Sequence, residues 1–153
     1  MNIALDTNII LYIARDKSGE QLIRFINPDD AIVYVSFATV AEIESLAFRQ
    51  RWPVTKRNRL ELFLDNVRII EISDLLLSTY IDLDACSQRQ HPDFTTYPFT
   101  TPRNMGKHDL WIGATASLLN LTLVTTDPDF DHLDGSFMTV RKLLPNQLKS
   151  LAR

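Results

Sequence analysis

The 153-residue sequence predicts an α/β protein built on a parallel sheet. Two observations carry that prediction. Short β-branched or apolar runs alternate with segments of helical period, the pattern of strands joined by crossover helices. Acids follow the first and fourth of these runs, and functional sites in open parallel sheets gather at strand carboxyl ends.

The elements follow in order. Residues 2–5 form an apolar strand that ends at Asp6-Thr7-Asn8, three residues suited to turns and helix caps. Ile9, Ile10 and Ile13, then Leu22, Ile23, Phe25 and Ile26, recur at helical spacing. Asn27-Pro28-Asp29-Asp30 reads as a loop, and residues 31–35 as a second strand. Ser36 caps a helix over 37–50, with Val40, Ile43, Leu46 and Ala47 on its apolar face, and Pro53 stops it. A helix over 56–66, a strand over 67–72 and a helix from Ser73-Asp74 to about residue 85 come next. Residues 86–104, with Pro92, Pro98 and Pro102, form a loop longer than ordinary connections. A helix over 107–119 with Leu110, Ala114, Ser117 and Leu118 inward leads to a fourth strand over 121–125. A polar loop over 126–134 and a short fifth strand over 137–140 complete the series. The length predicts one domain over 1–153.

Composition narrows the function classes. A hydrophobic share of 45% and a net charge of −3 are those of a chain with a packed core rather than of a disordered one. The lone Cys86 cannot form an internal disulfide, which fits a reducing compartment. No basic segment precedes the first apolar run, and no apolar stretch approaches the roughly 20 residues of a membrane span. The expectation is a soluble, cytoplasmic protein that does not enter a membrane. Charge is segregated: Arg49, Arg51, Lys56, Arg57 and Arg59 stand together without an acid, with Trp52 among them. This cluster is read either as a track for a phosphate backbone with Trp52 stacking a base, or as a solvated helix face. The tail residues Arg141, Lys142, Lys149 and Arg153 are likewise free of acids.

Four acids are the chemical candidates. Asp6 and Asp127 follow the first and fourth strands, Asp109 lies in the first turn of the helix before the fourth strand, and Glu42 borders an apolar helix face. Each alone has a plain reading: a turn or cap residue, a first-turn acid that favours the helix dipole, or a solvated helix residue. Together they suit a hard divalent cation, since Mg²⁺ and Mn²⁺ prefer oxygen ligands. A metal held by acids serves phosphoryl chemistry by activating water and neutralising charge on the phosphate. His91, His108 and His132 are scattered and Cys86 is single, which argues against zinc.

At these residues the sequence resembles the PIN domain family, and within it the VapC-type toxin ribonucleases. ALDTNIILYI resembles the first motif, VSFATVAEIESLAFR the second with Glu42 in its acidic position, NMGKHDLWIGATA the third with Asp109, and LVTTDPDFDHL the fourth with Asp127. The resemblance implies a three-layer α/β/α fold around a central, mostly parallel five-stranded sheet. It implies a Mg²⁺- or Mn²⁺-dependent endoribonuclease, the toxin of a type II toxin–antitoxin module, with an RNA substrate, a small antitoxin partner and a homodimeric state. Asp6, Glu42, Asp109 and Asp127 take the catalytic and metal-binding positions, with Asp129 and Asp131 as further candidates. Thr7, Asn8, Ser36, Thr125 and Thr126 match polar helpers, and His108 stands where relatives often carry Asn. Three other readings remain: a non-catalytic RNA- or protein-binding module of the same fold, a housekeeping RNA-processing nuclease, and a receiver- or phosphatase-like protein. The last needs a lysine or a second acid beside the strand-end Asp, and Asp6-Thr7-Asn8 lacks that acid.

Overall fold

The structure is a computed structural model that describes residues 1–17 and 19–152. Its strands are β1 (Ile3–Leu5), β2 (Val33–Ser36), β3 (Arg68–Ile70), β4 (Thr122–Thr125) and β5 (Thr139–Lys142). Its helices are α1 (Thr7–Arg15), α2 (Glu20–Ile26), α3 (Phe37–Arg49), α4 (Val54–Leu64), α5 (Leu77–Ser87), α6 (Lys107–Leu118) and α7 (Pro145–Leu151). The strands form one sheet in the order β3-β2-β1-β4-β5, and all four pairings are parallel.

Alternation along the strands builds two cores, because successive side chains point to opposite faces. Ile3, Leu5, Val35 and Val124 pack against α1, α2, α3, α4 and α7, where Ile9, Ile10, Leu22, Ile43, Leu60 and Leu148 are buried. Ala4 and Leu123 face the other way, onto Leu83 of α5 and Leu110, Ile112, Ala114 and Ala116 of α6. The three-layer α/β/α arrangement follows. The chain winds outward from β1 to β3, then crosses back to place β4 on the free side of β1. That reversal opens a crevice at the carboxyl ends of β1 and β4, where ligands bind in open sheets.

The structure departs most from the expected elements in three places. The run 126–134 contains a 3₁₀ helix, Pro128–Leu133, capped by the Asp127 side chain. The fifth strand begins two residues late. Gly135, at φ +78°, turns the chain so that its N–H meets the Met138 carbonyl at 2.8 Å, and Met138 is spent packing on the second core. An edge strand tolerates the polar Thr139, Arg141 and Lys142 that follow. The basic tail forms α7, with Pro145 in its first turn and Leu148 fully buried. On α6, Leu118 is exposed rather than inward.

The long connection after α5 is closed at its base, where Arg103 N–H donates to the Ser87 carbonyl at 2.6 Å. Its apolar residues Phe94, Tyr97 and Phe99 fold over Cys86 and His132 and enclose a cavity of about 270 Å³. Burial pushes the His132 imidazole pKa down, and Ser87 Oγ lies 2.8 Å from its Nε2. No helix among the described residues is long and apolar enough to cross a membrane.

Arg141 is not part of a solvated basic tail. Its guanidinium donates to the Ile26 carbonyl at 2.6 Å and the Phe25 carbonyl at 2.9 Å, closing the carboxyl end of α2. A cation there satisfies orphan carbonyls and complements the helix dipole. Arg141→Ala is expected to destabilise by about 2 kcal/mol, the cost of unpaired, partly buried carbonyls. Arg141→Lys should restore only part of this, since an ammonium lacks the planar fork. Thermal unfolding of both variants checks the expectation: an unchanged melting temperature for Arg141→Ala would mean the bond is incidental.

Candidate metal centre

The crevice gathers acids from four elements. Asp6 ends β1 and caps α1, Glu42 projects from α3, Asp109 sits in the first turn of α6, and Asp127 caps the 3₁₀ helix after β4. The cap positions have a local cause: Asp accepts hydrogen bonds from the first free N–H groups of a helix, so a strand that turns into a helix places an Asp at the turn. Thr7 N–H accordingly donates to Asp6 Oδ1 at 2.7 Å, and Asp129 N–H to Asp127 Oδ1 at 2.9 Å.

Thr125 joins the two halves. Its hydroxyl donates to Asp6 Oδ2 at 2.6 Å and accepts from Asp127 N–H at 2.9 Å. β1 and β4 are paired neighbours, with Leu5 opposite Val124 and Asp6 N–H bonded to the Val124 carbonyl at 3.0 Å. The pairing fixes the reach of that hydroxyl. On the opposite wall Thr7 Oγ1 donates to Glu42 Oε2 at 2.9 Å and lies 3.3 Å from Thr39 Oγ1. His108 Nδ1 stands 3.5 Å from the same Glu42 oxygen.

Asp109, Asp127 and Asp129 each present a carboxylate oxygen within 4.8 Å of the others. Asp109 is half-buried, and its pKa is raised to about 7, first by burial and then by the charges of Asp6, Asp127, Glu42 and Asp129. Burial also raises the pKa of Asp6, opposed by its hydrogen bonds from Thr125 and Thr7. Carboxylates gathered this closely carry a repulsion that a bound cation would relieve. The donor set is all oxygen, which fits a hard divalent ion and not zinc.

The expected residues do not all land here. Asp129, one of two uncertain candidates, joins the cluster, while Asp131 turns away to an ion pair with Lys142 at 2.7 Å. Ser36 is spent on capping α3 through Ala38 N–H. Asn8 and Thr126 line a small pocket beside the acids. Thr39, the threonine of the Ser-x-x-Thr-x-x-Glu pattern that ends at Glu42, is not among the expected polar helpers, yet it meets Thr7 one turn before Glu42 on α3. The basic cluster fares differently. Trp52 is only 7% exposed, packed into the first core with Lys56 Nζ 3.8 Å from its ring centroid, so it presents no free stacking face. Arg59 donates to the Ala14 carbonyl at 3.0 Å. Arg49 and Arg51 remain exposed and Arg57 partly so; Arg153 lies outside the described residues.

A crevice at the reversal point of a parallel sheet, lined by strand-end acids, defines an α/β protein with an acidic cluster that could hold a cation. The sequence profile of the PIN domain matches residues 3–136, and the chain belongs to that family. Solved structures agree on the fold. VapBC2 from Rickettsia felis bound to a promoter DNA fragment matches with a TM-score of 0.70 at 21% identity, over 93% of this chain and 98% of that one. A toxin–antitoxin complex from Klebsiella pneumoniae matches at 0.64 and 18%, over 94% and 99%. FitAcB from Neisseria gonorrhoeae matches at 0.62 and 25%, over 90% and 95%. Among curated proteins no sequence matches the chain at a significant level.

Two outcomes are expected from this geometry. Thr125→Val removes the donor to a buried carboxylate and the acceptor for Asp127 N–H, so it should cost about 1–3 kcal/mol, with Thr125→Ser close to wild type. Equal melting temperatures for Val and Ser variants would show that the hydroxyl is not what joins the strands. The second concerns charge. Because the folded pKa of Asp109 lies above its unfolded value, the folded state binds more protons between about pH 4 and 7, and stability falls as pH rises through that window. In EDTA at pH 7.5, Asp109→Asn should melt about 2–4 °C above wild type, as roughly 1 kcal/mol of screened repulsion implies. The gap should close near pH 4. A lower melting temperature for Asp109→Asn at pH 7.5 would make Asp109 a structural hydrogen-bonding group instead.

Proposed function

We propose that this PIN domain is a Mg²⁺- or Mn²⁺-dependent endoribonuclease, and that it acts as the toxin of a toxin–antitoxin pair in the cytoplasm. One observation carries the reading: the oxygens of Asp109, Asp127 and Asp129 converge within 4.8 Å at the sheet's reversal point, with burial first and then the neighbouring acid charges raising Asp109 to about 7. Asp109, Asp127 and Asp129 would hold the ion, with Asp6 and Glu42 completing the negative field. The ion when bound supplies Lewis-acid stabilisation and a more acidic water for attack on the phosphodiester.

The chain's own groups do the rest. Thr125 couples Asp6 to Asp127, so the buried Asp6 sets the position of a carboxylate at the rim. Thr7 holds Glu42 against α1, and His108, exposed beside it, would meet a phosphate oxygen entering the crevice. Several solved relatives are toxin–antitoxin complexes, which supports a small antitoxin as partner. A homodimer is part of the same proposal.

Purified protein incubated with single-stranded and structured RNAs should cleave in Mg²⁺ or Mn²⁺ and not in EDTA. Asp6→Asn, Glu42→Gln, Asp109→Asn and Asp127→Asn should each lower cleavage at least about a hundredfold, the scale on which loss of one electrostatic stabiliser acts. Wild-type rates from Asp109→Asn protein at matched metal would sink the assignment. Expression alone should arrest growth, and co-expression of a small protein encoded beside the gene should restore it. Growth arrest by all four acid variants would separate toxicity from cleavage and favour a non-catalytic module.

A further inference from the structure

One face of α1 leads away from the acids. Asn8, Leu11, Tyr12 and Arg15 recur at i, i+3, i+4 and i+7, so they form a stripe about 10 Å long down the helix. With Thr126 they line a pocket of about 240 Å³, and no acid is among them. The pocket abuts the acid site through the chain itself. Asn8 follows Thr7, which holds Glu42, and Thr126 lies between Thr125 and Asp127.

The stripe has the chemistry of a nucleotide. Tyr12 rests on the first core and is half-buried, so its ring is held in place with part of it exposed. The Arg15 guanidinium lies 5.8 Å from that ring's centroid and makes no ion pair among the described residues. Beyond it the positive charge continues. Arg59 is tied to the Ala14 carbonyl, one residue from Arg15, and Lys56 sits on Trp52. Burial lowers the Lys56 pKa, and the neighbouring charges of Arg15 and Arg59 lower it further. Cations crowded in this way are relieved by an anion, and an aromatic ring beside them offers a surface on which any base can stack.

We propose that this pocket is a nucleotide subsite for single-stranded RNA, in which Tyr12 stacks the base next to the scissile phosphate and Arg15, backed by Lys56 and Arg59, binds the following backbone phosphate. The inference rests on the ribonuclease reading and adds to it the direction in which the strand leaves the acids: along α1 toward α4, not across the exposed Arg49 and Arg51. Trp52 then acts as the platform that holds Lys56 rather than as a stacking residue.

The test measures binding of a short fluorescent single-stranded RNA by anisotropy over a range of salt, in an Asp109→Asn background so that the strand stays whole. Arg15→Gln should weaken binding and lower the salt slope by about one, the signature of one lost phosphate contact. Tyr12→Leu should weaken binding about tenfold with the slope unchanged, and Tyr12→Phe should restore it, because the ring and not the hydroxyl is used. Arg51→Gln should change neither. Arg15 is exposed, so its variant carries the test should Tyr12→Leu melt early. Wild-type protein is assayed for RNA cleavage in parallel. Cleavage with unchanged salt slopes for Arg15→Gln overturns the subsite and leaves the nuclease reading standing. Arg15- and Tyr12-dependent binding without cleavage supports the subsite and removes the nuclease reading. Absence of RNA binding by wild type overturns both. A polyglutamate probe is the last arm: loss of its binding in Arg15→Gln, with RNA binding intact, would assign the stripe to an acidic polypeptide and overturn the proposal.

Discussion

A hydrogen bond of 2.6 Å between the Thr125 hydroxyl and the Asp6 carboxylate joins the ends of the two central strands. Much of the site depends on it. Asp6 is 3% exposed, and a carboxylate so enclosed is costly without donors. Thr125 and the Thr7 N–H supply them. The same threonine accepts from Asp127 N–H and so sets where the next acid stands. The parallel pairing of β1 with β4 is what brings the groups within reach, and that pairing exists because the chain reverses its winding after β3. Topology, one hydroxyl and two cap positions together build a negatively charged crevice.

The crevice works against the fold that holds it. Three carboxylates within 4.8 Å, with two more near them, repel in the metal-free protein, and burial adds to the penalty at Asp109 and Asp6. Such conflict between local stability and charge is common at functional sites. The surrounding structure pays for this in packing. α6, which carries Asp109, is buried along Leu110, Ile112, Gly113, Ala114, Thr115 and Ala116, so its first turn is held in place from within. α1 and the 3₁₀ helix are anchored by Ile9, Ile10 and Phe130, all fully buried.

Basic residues show how far charge in a sequence can mislead. Arg49, Arg51, Lys56, Arg57 and Arg59 look like one patch, yet Arg59 satisfies a helix-end carbonyl and Lys56 sits on a buried ring. Arg141 likewise closes α2, and Lys142 neutralises Asp131. Long cationic side chains often bury their stems and spend their heads on backbone carbonyls, so a run of them in sequence does not define a surface. Arg15, isolated in the sequence, is the cation that the fold brings near Lys56 and Arg59, at the end of α1 away from the acids.

Much was legible in the sequence by itself. Alternating strand and helix patterns give the parallel α/β class, because a buried strand and an amphipathic helix have different periods. The acids at Asp6 and Asp127 were legible because Asp after a strand caps the following helix, a local preference that needs no tertiary contact. Which acids meet was decided only in three dimensions. Asp129 joins Asp109 and Asp127 while Asp131, two residues on, turns to Lys142, since the tight turn of a 3₁₀ helix points them apart. The start of β5 was set by the left-handed turn at Gly135 and by the burial of Met138, and α7 by the cavity that Leu148 fills. Trp52 lost its expected role to the core for the same reason. Local preference follows from each residue and its neighbours, whereas burial and partner choice depend on segments that the sequence keeps far apart.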